Sequence, residues 1–191
     1  MLEAARPQEL LSTLRSRMLR VRFEPLGAQD FAAWARTRPE LGGDLPASAF
    51  QLSGGAPGAL LAYLARGGPA QVELWLEALA GGRRSTQAFL GAEGDTEAST
   101  ELGRRRERVA LSLEVLAGLL RDVWLLGLGG DVEPALVHRE RRAQLEPLAR
   151  SWSPARASGL LLATGALLGD LQANLDPEAT LERALARLAG P

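Results

Sequence analysis

Apolar positions recur with a helical period along most of this chain. Leu10, Leu11 and Leu14 fall on one face of an opening helix, with Arg15 and Arg17 near its end. From Leu19 the period changes: Leu19, Val21 and Phe23 alternate with Arg20 and Arg22, the pattern of one half-buried strand stopped by Pro25. A solitary strand is not stable alone. It is therefore expected to pair with a second copy, or with a sheet whose other strands lie outside this chain. Helices then take over. The first covers residues 29–38, with Phe31, Trp34 and Ala35 on one face. Asp44 and Ser48 are placed to cap a short helix through Leu52. The turn Gly54-Gly55-Ala56-Pro57-Gly58 leads into a helix over 59–66, which Gly67-Gly68 stops. Three short helices so close together predict a small bundle.

A second, larger set follows. Val72, Trp75, Leu76 and Leu79 stripe a helix over 69–80. Residues 81–99, rich in Gly, Ser, Thr and acids, read as a linker or mobile loop. The longest helix is predicted over 101–126, with Val109, Leu113, Leu116, Leu120 and Val123 at 3–4 spacing, and Gly127-Leu128-Gly129-Gly130 ends it. Further helices are predicted over 133–152, 154–175 and 177–188, the last capped by Asp176 with Leu181, Leu185 and Leu188 facing inward. No repeat of fixed period runs through the chain. The expected class is all-α.

Composition sharpens that reading. Leu (38) and Ala (32) supply 70 of the 88 apolar residues, against 7 Val and no Ile, so a sandwich, a barrel or a large parallel sheet is disfavoured. A net charge of −1 removes the general electrostatic argument for nucleic-acid or anionic-membrane binding. No residue is Cys and one is His, which excludes disulfides and thiolate sites and leaves few candidates for His-based metal or triad chemistry. All 22 basic residues are Arg, which excludes a P-loop lysine or a lysine Schiff base. The apolar stretches fall short of the ~18 residues of a membrane span. With no secretory h-region near the N-terminus, a cytoplasmic protein is expected.

Several features have an ordinary reading. His138, between Val137 and Arg139, reads as a surface or helix-end histidine. Arg104, Arg105, Arg106 and Arg108 could touch phosphate, but Glu101 precedes Arg105 by one turn and Glu107 adjoins, so a solvated, internally paired face is preferred. Trp34, Trp75, Trp124 and Trp152 are spread one per helix, like core anchors rather than a base-stacking platform. Glu73 and Glu77 lack a third ligand or a partner acid. The Gly54–Gly58 cluster follows a helix and lacks Gly-Lys-Thr, so it reads as a helix-entry turn rather than a phosphate cradle. Arg15 and Arg17 end a helix beside a sheet edge, where a guanidinium can reach a phosphate on a neighbouring subunit or lie solvated.

Three segments resemble, in order, bacterial clamp-loader subunits. Leu10 to Arg17 and the following alternation resemble the family's Ser-Arg-Cys region, in which a Leu-rich helix precedes the last strand of an AAA+ sheet. Ser16 and Arg17 match, and Met18 stands in the place of the cysteine. Leu52-Ser53-Gly54-Gly55-Ala56-Pro57-Gly58-Ala59-Leu60 is similar to the lid segment Leu-Ser-x-Gly-Ser-Pro-Gly-x-Ala-Leu of the delta-prime family. ATP-hydrolysing relatives carry a sensor arginine where Gly58 stands here. Asn174-Leu175-Asp176-Pro177-Glu178-Ala179-Thr180-Leu181-Glu182 resembles the closing segment of collar domains.

The resemblance implies three parts. Residues 1–24 would be the helix–strand remnant of an AAA+ α/β module, 25–68 a helical lid, and 69–191 a C-terminal helical collar. The family's N-terminal half has no counterpart in these residues, so the expectation is a C-terminal fragment of such a subunit, a shortened gene product, or a chain that works with a separate N-terminal piece. The implied function is that of a non-hydrolysing subunit of the DNA polymerase III clamp loader, holding the ring together and helping load the sliding clamp onto primed DNA. Its partners would be the gamma/tau and delta subunits, with no membrane involved. No residue would be catalytic in cis. Arg17, with Ser16 as its motif neighbour, would be an arginine finger presented in trans to ATP bound by the adjacent subunit. No cofactor or metal of its own is implied. Two alternatives stay open: an unrelated helical scaffold or interaction module, and a fragment of an ATP-hydrolysing gamma/tau-type subunit, which would need a Walker lysine and a sensor arginine.

Overall fold

A computed structural model describes residues 11–19, 21, 23–41, 48–82, 84–91 and 98–189. Ten α-helices lie among the described residues: α1 (Ser12–Arg15), α2 (Ala28–Arg36), α3 (Ala49–Ser53), α4 (Pro57–Ala65), α5 (Gly68–Leu79), α6 (Thr86–Leu90), α7 (Ala98–Leu128), α8 (Arg142–Ser151), α9 (Pro154–Gln172) and α10 (Pro177–Ala189). The all-α expectation holds, and no strand occurs among the described residues. Sequence rules set several boundaries. Pro57 occupies the first turn of α4 and Pro69 that of α5. Ser153 caps α9 by accepting from the Arg156 amide at 3.1 Å. Asp176 does the same for α10, accepting from the Ala179 amide at 2.8 Å. α9 stops earlier than its apolar pattern suggests, because Asn174 turns left-handed (φ 67°) and the Leu175 amide reaches back to the Asp170 carbonyl at 3.2 Å.

The apolar residues gather in two clusters. In the smaller, Phe31, Ala49 and Leu60 are buried and Leu26, Trp34, Phe50 and Leu64 pack around them. Phe50 meets Phe31 edge-on, with centroids 5.6 Å apart. The larger cluster surrounds α7, with α5 and α6 against one part of it and α8, α9 and α10 against the rest. Trp75 is its anchor. The side chain is fully buried against Phe89 (centroids 4.4 Å apart), and its indole N–H is shared between the Ser112 carbonyl at 2.8 Å and hydroxyl at 2.9 Å. Burial of so large an apolar body with its single donor satisfied is worth ~3–5 kcal/mol against truncation to Ala. The other three tryptophans are only partly buried, so the core-anchor reading fits Trp75 best.

Five expectations need correction. Residues 19, 21 and 23 form no strand, and Leu19, Val21 and Phe23 are 91%, 64% and 87% exposed. The alternation is real, but an isolated run has no neighbouring edge to take its N–H and C=O groups; Arg20 and Arg22 lie outside the described residues. The opening helix is a single turn among the described residues, and Leu10 lies outside them. Ser48 does not cap α3; its hydroxyl is spent elsewhere, and Asp44 also lies outside the described residues. The expected loop over 81–99 contains α6, because Phe89 and Leu90 are buried in the main core, and the Gln71 amide holds the Phe89 carbonyl at 3.0 Å. Residues 133–152 are not one helix. Two 3₁₀ turns, Glu133–Ala135 and Arg139–Arg141, flank an extended, fully buried Leu136 before α8 begins.

Candidate functional site

The segment singled out for chemistry is held locally and weakly. α1 is one turn long; the Ser16 hydroxyl donates to the Thr13 carbonyl at 3.1 Å, and the Arg17 amide donates to the Leu14 carbonyl at 3.1 Å. Arg17 is exposed, as are Leu11, Leu14 and Met18 beside it. The arrangement presents a guanidinium outward from an apolar stretch that nothing described covers. A group so placed can meet a phosphate only on another molecule.

The glycine turn is built for packing. Gly54 and Gly55 take φ of 57° and 79°, and the Leu26 amide donates to the Gly55 carbonyl at 2.8 Å. A Cβ on Gly55 would lie 2.3 Å from the Leu26 carbonyl oxygen, so only glycine lets the chain entering α2 lie against this turn. The helix-entry reading is the one the geometry supports. Gly58 differs: it is exposed, and a side chain there would meet nothing within 4 Å.

A third feature has no counterpart in the sequence reading. One side of α9, with Ala157, Thr164, Leu167 and Leu171, is buried in the core. Ala155, Gly159, Leu162, Ala166 and Gly169, spaced 4-3-4-3, line the opposite, exposed side, and Leu162 is 76% exposed. No charge occurs from Ala157 to Gly169. Gly159, Gly165 and Gly169 are helical, and a Cβ on any of them would point into open space. Each costs the helix ~1 kcal/mol relative to Ala, and no internal contact requires it. A smooth, uncharged helix face suits the close approach of another backbone. The signal was present in the sequence as three glycines in one uncharged stretch of a helix, but only the burial pattern tells the outward side from the inward one.

His138 is a correction: it is 2% exposed, not at the surface. Its backbone N–H donates to Asp122 Oδ2 at 2.7 Å, its Nδ1 lies 3.1 Å from the same oxygen, and the Val137 amide donates to Oδ1 at 3.0 Å. Glu101 and Arg105 pair at 3.4 Å, as the one-turn spacing predicts, and Arg108 donates to the Leu90 carbonyl. Glu73 pairs with Arg141 and Glu77 with Arg84. An open cleft of about 390 Å³ lies between the Gly127–Gly130 turn and α8. Its Arg142 is held by Glu133 at 2.5 Å and Glu146 at 2.8 Å, so the guanidinium is already neutralised. The hydrogen bond from Arg142 holds the Glu146 carboxyl below its ordinary range. No cluster of three metal-ligating side chains occurs among the described residues. None of the described helices is long and apolar enough to cross a membrane. Neither a protein-family model nor a curated protein sequence matches this chain.

Proposed function

We propose that this chain is an assembly subunit, and that its assembly is a clamp loader of the DNA polymerase III type, in which it hydrolyses no ATP itself. The observation that carries the assembly role is the outer face of α9, uncharged along its middle and lined with glycines that no internal contact requires. The clamp-loader reading rests on the ordered resemblance of three segments: the Ser16-Arg17 helix, the Gly54–Gly58 turn and the start of α10. In this reading residues 25–68 act as a lid, 69–191 as a collar joined to gamma/tau and delta subunits, and Arg17 as a finger toward ATP on the neighbour. The exposed Leu19, Val21 and Phe23 then belong against the edge of an α/β sheet.

Co-purification of the full chain with gamma/tau and delta subunits tests this. Stable association that Leu162→Glu abolishes supports the reading. Absence of association, from a chain whose circular dichroism is fully helical, favours the unrelated-scaffold alternative. The arginine finger has its own test in an assembled loader. Loss of Arg17 as Arg17→Ala should lower ATP hydrolysis by the adjacent subunit by about 10³-fold if it acts as fingers do in simpler NTPases. An unchanged rate leaves Arg17 without a chemical role.

A further inference from the structure

The small cluster around Phe31, Ala49 and Leu60 meets the large one where α4 joins α5. The chain crosses from α4 to α5 at Gly67, which takes φ of 77° with nothing within 4 Å of where a side chain would start. Next to it the Tyr63 ring lies so close to Gly68 that a Cβ there would be 2.2 Å from the ring. α4 therefore faces both ways: Leu60 and Leu64 belong to the small cluster, and Tyr63 packs against the large one.

A second link between the two clusters runs through Ser48. It occupies the N-cap position of α3 yet makes no capping hydrogen bond, although serine is among the residues that cap helices best. Ser48 is fully buried, and its hydroxyl donates instead to Glu140 Oε1 at 2.7 Å, 92 residues away in sequence. Glu140 sits in the 3₁₀ turn Arg139–Arg141, which follows directly on His138 and hence on Asp122 of α7. Arg141 of the same turn pairs with Glu73 of α5. The turn is thus fixed to the large bundle on two sides and extends one acceptor to the small one.

We propose that the Ser48–Glu140 hydrogen bond is a latch that sets the angle between the two bundles, with Gly67 as the pivot. The latch is independent of the clamp-loader reading, since it rests on contacts within this chain alone. With it closed, α2–α4 are held on the large bundle; with it open, Gly67 lets them swing as a unit. The segment bearing Arg17 moves with them, because the Leu26 amide ties the entering chain to Gly55.

The chain has no cysteine, so spin labels on Gln29→Cys in α2 and Gln172→Cys at the end of α9, both exposed positions, report this angle as a distance distribution. The labelled chain should give a single narrow peak by pulsed electron–electron double resonance. Glu140→Ala and Ser48→Ala should each lose that narrow peak while the circular dichroism stays helical. Glu140→Gln keeps an acceptor oxygen and should retain it, and the double variant should be no broader than either single one. Should Ser48→Ala fail to fold, Glu140→Ala decides alone, because Glu140 is exposed. A narrow, unshifted peak in Glu140→Ala, or a broad peak before any latch residue is changed, overturns the proposal.

Discussion

Oδ2 of Asp122 accepts the backbone N–H of His138 at 2.7 Å and lies 3.1 Å from that residue's Nδ1. A carboxylate only accepts, so Nδ1 carries the ring proton. With Oδ1 taking the Val137 amide, one side chain of α7 gathers three donors from a segment that has no helix of its own.

Removing that carboxylate strands the two His138 donors in a buried environment, while the part-buried Val137 amide can turn to water. Each unsatisfied buried donor costs ~1–3 kcal/mol. Asp122→Ala should therefore lower stability by at least ~2 kcal/mol, read from the urea midpoint at constant slope. Asp122→Asn keeps one accepting oxygen and should lose less. A fall below ~1 kcal/mol for Asp122→Ala would show that the donors find other partners.

Gly55 and Gly58 should respond in opposite ways. Gly55→Ala forces a Cβ against the Leu26 carbonyl at a positive φ and should cost ~1–3 kcal/mol. Gly58→Arg places a side chain in open space on an exposed position and should stay within ~0.5 kcal/mol of the parent. Thermal unfolding of the two variants side by side decides. Equal destabilisation would mean that the turn does not dock Leu26 as described.

The glycines of α9 predict a change of sign between the isolated and the assembled chain. Gly159→Ala, Gly165→Ala and Gly169→Ala should each raise the melting temperature of the isolated chain, by up to ~1 kcal/mol in stability. The same changes should weaken association with a partner whose backbone approaches that face. Improved stability with unaltered association would remove the reason for regarding the face as a contact surface.

Tyr63 is the one tyrosine, so phenolate absorbance reports it without interference. Burial first, and then the Glu140 carboxylate, raise its pKa from 10.0 to about 12, with Arg141 opposing. The folded state thus holds the phenol proton more tightly than the unfolded one. Its contribution to stability is complete below pH 10.0 and is lost as the pH rises toward about 12. The native titration midpoint should lie near the upper value and the urea-unfolded midpoint near the lower one. Coincident midpoints would show the ring to be solvated.

What the sequence disclosed was whatever depends on neighbours along the chain. α5, α7 and α10 follow from apolar stripes at 3–4 spacing, the Asp176 cap from one side chain and the next turn, and the Glu101–Arg105 pair from its one-turn interval. What it hid depends on residues far apart. His138 looks like a surface histidine until Asp122, 16 positions earlier, is folded against it. Ser48 looks like a cap until Glu140 takes its hydroxyl. α6 is short enough that two adjacent apolar residues give no period, and only the pocket beside Trp75 and Gln71 explains it. The alternation over 19–23 fails for the complementary reason: a strand pattern specifies a face, but pairing needs an edge to pair with.

α7 has a consequence for how the molecule is made. At 31 residues it runs ~46 Å, and its buried positions from Val109 to Val123 face helices on several sides. The helices that precede it, α5 and α6, are already available as it leaves the ribosome; α8, α9 and α10 are not. The 61 residues from 129 to 189 that carry them take roughly 3–12 s to synthesise. For that interval the side of α7 destined for α9 has nothing to rest on. A nascent chain stalled before Pro154 would therefore expose the leucine-rich side of α7 that α9 covers in the finished fold.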